Sequence, residues 1–284
     1  MNLIFFPIPM LRNPSDVKPV IHRLITRHSD AQSNRADDAL TIEEPLEIRI
    51  KYHTQHGIFK IISLAVTMRT PGDDAVLAKG FLFTEGIIKS YADITDIVEV
   101  EENIILLELH QSVHFDAADL QRNFYTTSSC GVCGKASIES IHSDTIYLPW
   151  SSKFTIEKSV LFGLPQKLRS HQAQFEDTGG IHACALFDSN GVLVRVNEDV
   201  GRHNAMDKLI GSTENFPISD CMVLVSGRAS FELVQKASKA GIPLMAAIGA
   251  PSSLAVQLAE EQGMGLVGFL KEGSFNVYVG ERVV

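Results

Sequence analysis

The chain has 284 residues, 45% hydrophobic and 21% charged, with 25 Lys and Arg against 34 Asp and Glu. That length and balance suit one large soluble domain or two modest ones with a sizeable core, and exclude a disordered, fibrous or disulfide-scaffold protein. The net charge of −9 supplies no global basic field to recruit nucleic acid or an anionic membrane, so any anion site must be a local cationic pocket.

No apolar run is long enough to span a membrane. The start, MNLIFFPIPMLRNP, has no basic leader and is broken by Pro7 and Pro9, so it reads as a poor signal peptide and the expected compartment is the cytosol. Residues 1–39 are expected to form a loosely held tail, with a polar stretch at His28–Arg35. Residues 40–115 read as a small α+β domain. Leu46, Ile48 and Ile50 alternate with charged residues, the period-two signature of a half-buried strand, and Ile58–Val66 is a second strand. Thr70-Pro71-Gly72-Asp73 predicts a helix start, with Thr70 as cap. Leu77, Ala78, Phe81 and Leu82 give that helix a buried stripe and Gly86 stops it, before a strand at Ile104–Leu109.

Residues 116–150 are expected to form an exposed, mobile segment around Cys130-Gly131-Val132-Cys133-Gly134-Lys135. Residues 151–284 are more regular. Ala183–Phe187 and Val192–Val196 flank the hairpin signal Asp188-Ser189-Asn190-Gly191. A helix through Ala205, Leu209 and Ile210 follows, ending at Gly211. Strands at Met222–Val225, Leu244–Ile248 and Leu266–Leu270 then alternate with helices, one with Leu233, Ala237 and Ala240 on one face and one at Leu254–Glu261. That alternation predicts a parallel sheet with right-handed crossovers.

Ligands of such sheets bind at the carboxyl ends of the strands. Ser226-Gly227-Arg228-Ala229-Ser230 and Gly249-Ala250-Pro251-Ser252-Ser253 each join a strand end to a helix start there. They offer glycine, hydroxyls and expected free N–H groups, the elements of a phosphate site, and Arg228 adds a bidentate fork. The competing reading is that the serines are ordinary helix caps. Glu198, Asp199, Arg202, His203 and Asn204 are expected to form a pocket wall at the same edge, with Glu198, Asp199 and His203 fit for acid–base work. His53, His56 and His110 show no ligand spacing.

Cys184 and Cys221 stand alone in apolar runs and read as buried thiols. The pair Cys130 and Cys133 is different. A structural zinc site needs a second ligand pair, and a zinc deaminase needs H-x-E or C-x-E with proline before the first cysteine; neither tripeptide occurs, and Ser129 stands at that place. The run Tyr125–Ser129 is a poor strand end for a redox dithiol. A thiolate that accepts and hands on sulfane sulfur stays open beside redox chemistry, with Lys135 near enough in sequence to lower a thiol pKa.

The segments EEPLEI (Glu43–Ile48), TPGDDAVLAKGFLFTEGII (Thr70–Ile88), SSCGVCGK (Ser128–Lys135), FEDTGGIHACAL (Phe175–Leu186), EDVGRHNAMDKLIG (Glu198–Gly211), SGRASFELVQKASKAGIP (Ser226–Pro243) and APSSLAVQLAEE (Ala250–Glu261) resemble the FdhD family of formate dehydrogenase accessory sulfurtransferases, in order over residues 40–282. The resemblance implies a cytidine-deaminase-like three-layer α/β domain with a mixed sheet, no metal and a smaller N-terminal α+β domain, in a cytosolic homodimer. It implies sulfur transfer from a cysteine desulfurase to the molybdenum cofactor Mo-bis(molybdopterin guanine dinucleotide), required for formate dehydrogenase activity. A guanine nucleotide would occupy the same site. Cys130 would carry the persulfide, and Cys133 would assist or be dispensable. The family's cofactor-binding stretch falls on Phe269-Leu270-Lys271-Glu272-Gly273-Ser274, and Lys271 stands where arginine is common, keeping the charge without the fork. The alternatives are a non-catalytic cofactor-binding chaperone and a zinc deaminase-like enzyme.

Overall fold

The computed structural model describes residues 20–30, 32–54, 57–113 and 147–284. Its first element is a hairpin in which β1 (Val20–His28) pairs antiparallel with β2 (Ser33–Thr41). This corrects the expected loose tail from residue 20 onward; residues 1–19 lie outside the described residues. Val20, Ile21, Ile25 and Thr26 favour extended backbone, and the Thr41 hydroxyl donates to Thr178 Oγ1 at 2.7 Å, tying the hairpin to the body.

The expected strand at Leu46, Ile48 and Ile50 is β3 (Glu44–His53), and all three side chains are buried. It lies between antiparallel β4 (Phe59–Arg69) and a parallel neighbour three strands on. Between them runs α1 (Asp74–Thr84), which buries Leu77, Ala78, Leu82 and Phe83. The helix starts later than expected. Asp73 precedes it in the left-handed region at φ 57°, and the Thr70 hydroxyl accepts from the Val200 N–H at 3.0 Å instead of capping. β5 (Ile94–Glu101) and β6 (Ile104–Leu109) complete a four-stranded sheet, β4-β3-β6-β5.

The second unit opens with α2 (Lys158–Arg169) and α3 (Ala173–Thr178). β7 (His182–Asp188) and β8 (Leu193–Asp199) form the predicted hairpin, where Asp188 Oδ1 accepts from the Asn190 and Val192 N–H groups. Then come α4 (Arg202–Gly211), β9 (Cys221–Val225), α5 (Phe231–Lys239), β10 (Leu244–Ala247), α6 (Ser253–Gln262), β11 (Gly265–Lys271) and β12 (Ser274–Val279). The six strands form one mixed sheet, β12-β11-β10-β9-β7-β8. β9, β10 and β11 are parallel, and β7 and β12 flank them antiparallel. β9 is buried along its whole length, as its unbroken apolar run requires of a central parallel strand.

Two cores sandwich this sheet. On one face Leu161, Leu164 and Leu168 of α2 pack with Phe187, Met222 and Leu224. On the other, Leu209 and Ile210 of α4, Leu233 and Ala237 of α5 and Leu258 of α6 share a core that continues through α1 to Ile48, Ile50 and Leu107 of the four-stranded sheet. The result is the expected three-layer α/β unit, joined without a gap to the smaller one. α1 and α4 cross closely at two glycines: a Cβ on Gly80 would run into the Asp207 carbonyl, and one on Gly211 into the Val76 carbonyl.

Candidate functional site

Strand polarity brings most of the predicted site to one edge. Cys184 pairs with Val225 and His182 with Asp199, so the start of β7 and the end of β8 lie beside the carboxyl end of β9. The loops after β9, β10 and β11 close the same edge, where an isolated bridge joins Ala229 to Pro251.

The loops bind one another. The Gly249 N–H donates to the Gly227 carbonyl at 2.8 Å, the Ser252 N–H to Ala229 at 3.0 Å and the Phe269 N–H to Gly249 at 3.0 Å. This corrects the expectation of free N–H groups at Gly249 and Ser252. Ser226 is also scaffold, its Oγ accepting from the Ala183 N–H at 2.9 Å. Ser252 caps α6 by accepting from the Ala255 N–H at 3.2 Å, so for it the plain cap reading is right. Ser253 follows, exposed, on the first turn of that helix. Ser230 sits at the N-cap of α5 and makes no cap bond.

Three cations stand along this edge. Arg228 and Lys271 are exposed and Arg202 is half-buried, and none pairs with an acidic side chain among the described residues. In the Phe269–Ser274 stretch the members differ. Leu270 is fully buried in the core beneath the sheet, which corrects its expected contact role. Phe269 is 46% exposed and sits at φ 54°, at a break in the pairing of β11 with β12. A bulky residue held in the left-handed region marks a position fixed by its surroundings. Its predecessor Gly268 lies so near the next loop that a Cβ would come within 2.7 Å of Pro251 Cδ. Glu272 and Gly273 form the turn and Ser274 opens β12, all three exposed.

The expected acidic pocket wall divides. Asp199 is fully buried and forms a 2.8 Å ion pair with Lys208, itself almost fully buried. Its carboxylate also accepts from the N–H groups of Thr70 and Gly201. This corrects its assignment to the ligand crevice: it fastens β8 to the smaller unit. Asn204 does the same, donating to the Met68 carbonyl at 2.7 Å. Glu198 accepts from the Gln174 and Phe175 N–H groups at the start of α3, and burial raises its pKa.

His203 stays at the edge. Its Nε2 is 3.8 Å from Oε2 of Glu232, in the first turn of α5. Two residues here were not singled out from the sequence: Glu232, which resembles an ordinary acid in a first helical turn, and His182, whose ring lies against Gly227. Burial lowers the pKa of His182, and the nearby Arg202 and His203 lower it further, so its imidazole is neutral at neutral pH.

Cys130 and Cys133 lie outside the described residues. Cys184 and Cys221 are buried free thiols, as expected, and burial pushes the pKa of Cys221 up to about 12. Among the described residues no group of three or more His, Cys, Asp or Glu side chains is gathered to hold a metal, and no helix is long and apolar enough to cross a membrane.

Known proteins match over most of the chain. The sulfur carrier protein FdhD of Mycolicibacterium paratuberculosis is 46% identical over 268 residues, covering 90% of this chain and 95% of its own. The protein of the same name from Streptomyces coelicolor is 45% identical over 271 residues (91% and 93%), and that from Saccharolobus solfataricus 40% over 263 residues (91% and 96%). A crystal structure described as that of a formate dehydrogenase accessory protein from Desulfotalea psychrophila superposes with a TM-score of 0.72 at 22% identity, covering 94% of this chain and all of that one, and so shares the fold. The FdhD/NarQ family model matches residues 41–284. This protein belongs to the FdhD/NarQ family.

Proposed function

We propose that the protein is a sulfurtransferase of formate dehydrogenase maturation. Its relatives carry the name sulfur carrier protein. In this reading Cys130 is the carrier. Its thiolate attacks the outer sulfur of a cysteine desulfurase persulfide, forming a new S–S bond and releasing the desulfurase thiolate. The outer sulfur would then pass to Mo-bis(molybdopterin guanine dinucleotide), the S–S bond breaking and Cys130 leaving as the thiolate, in the cytosol and from a homodimer, with Cys133 assisting or dispensable.

The observation that carries the cofactor side is the sheet edge, where Arg202, Arg228 and Lys271 lack acidic partners among the described residues and Phe269 is exposed beside them. Pyrophosphates need such cations and a planar ring needs such an aromatic face, so the residues present fit a guanine dinucleotide. Arg228 and Lys271 would hold phosphates, Pro251 and Ser253 would line the approach, and the bound molybdenum would supply the atom that receives sulfur.

Incubation with a cysteine desulfurase and cysteine, followed by intact mass measurement, tests the carrier. Wild type gains one sulfur atom and Cys130→Ala gains none. Equal gain in both refutes the role of Cys130. Restored formate dehydrogenase activity by Cys130→Ala in cells lacking the protein would point to a non-catalytic chaperone.

A further inference from the structure

Glu232 conflicts with an anion site. It stands in the first turn of α5, on the edge that presents Arg202, Arg228 and Lys271, yet no Lys or Arg pairs with it among the described residues. Its only titratable contact there is His203. A carboxylate repels whatever those cations attract, so any ligand group that meets Glu232 is one that is not anionic.

The groups behind it reinforce its charge. His203 Nε2, 3.8 Å from Glu232 Oε2, and Ser230 Oγ are both buried and make no hydrogen bond among the described residues, which leaves each open to a partner. Burial pushes the Glu232 pKa up, but His203, the residue's own backbone N–H and Ser230 outweigh it and hold the pKa down to about 2. Glu232 is therefore an acceptor only.

A carboxylate's two oxygens take two adjacent N–H donors side by side. The 2-amino-4-oxopyrimidine edge, common to guanine and pterin, presents that pair as a ring N–H beside an exocyclic amine. Adenine places a ring-nitrogen acceptor there. We propose that Glu232 reads the 2-amino-4-oxopyrimidine edge of the ligand, backed by His203 and Ser230. This rests on the cofactor reading above and sharpens it: the cations hold phosphate, and Glu232 selects the ring.

Calorimetric titration of the full chain with GDP, IDP, ADP and XDP tests the assignment, with a free pterin as competitor. Wild type is expected to bind GDP about tenfold or more tightly than ADP or IDP, since each leaves a buried acceptor unmatched. Glu232→Gln, nearly the same shape, is expected to lose about tenfold for GDP and to gain XDP, because its amide donates to a 2-oxo group. A pterin that displaces GDP from wild type but not from the variant assigns the edge in both rings; failure to compete assigns guanine alone. Equal affinity of wild type for GDP and ADP, as a carboxylate on the ribose hydroxyls would give, overturns the role of Glu232 and leaves the phosphate site standing. An unchanged GDP-to-ADP ratio in the variant overturns it too. No binding of any nucleotide overturns both readings.

Discussion

Asp199 and Lys208 show how a single pair can fasten two units. Both side chains are out of water, 2.8 Å apart, and Lys208 Nζ also donates to the Thr70 carbonyl. Removing one partner leaves an uncompensated buried charge. Lys208→Met should therefore destabilise the protein by about 3–5 kcal/mol, read as a shift in the denaturant midpoint. A loss below about 1 kcal/mol would mean that Asp199 finds water or another partner. The sequence Glu198–Asn204 is dense in polar groups, the usual mark of a solvated or ligand-lined loop, and position along a chain does not say which of them are covered. Asp199 was misread for that reason, since its cover comes from Thr70, 129 residues away. The place of Arg202, Arg228 and Lys271 at strand ends was legible, because a residue that closes a strand or follows one in an alternating pattern stands at that edge of the sheet. The contact of Glu232 with His203 was not, because the two stand in different helices.

At the scale of elements, α1 and α4 meet where two glycines let backbone touch backbone. Gly211→Ala places a Cβ on the Val76 carbonyl, which cannot yield as a flexible side chain would. Overpacking of this kind is expected to cost about 1–3 kcal/mol, visible as a lower melting temperature, although alanine has the higher helix propensity. An unchanged or raised melting temperature would contradict the close crossing. Gly211 reads from the sequence only as a helix stop. The parallel strands were legible because β9 and β10 are short unbroken apolar runs bounded by turn residues. The β1–β2 hairpin was not, because most of its side chains are exposed on both faces and no alternating apolar pattern announces it.

Across the whole molecule, the core that begins at Leu46 and Ile48 ends at Met264 and Leu266. The buried Lys236 strengthens that continuity, reaching Asp207 at 2.9 Å and Glu85 at 3.0 Å and so linking α5, α4 and the end of α1. Small and large units should therefore unfold together. Hydrogen exchange with rising denaturant is expected to release the β3 and β9 amides at the same midpoint. Earlier release of β3 would show two separable domains. Division at residues 116–150 follows from composition, which records where the chain changes character but not that a later helix returns to pack on an earlier one. The knitted loops have a mechanical consequence. Gly227, Gly249 and Phe269 form a taut cord of backbone across three successive strand ends, so a pull on one station is felt at the others. A cargo docking at Phe269 would tug on Arg228 without touching it, and the rim would respond as a single part.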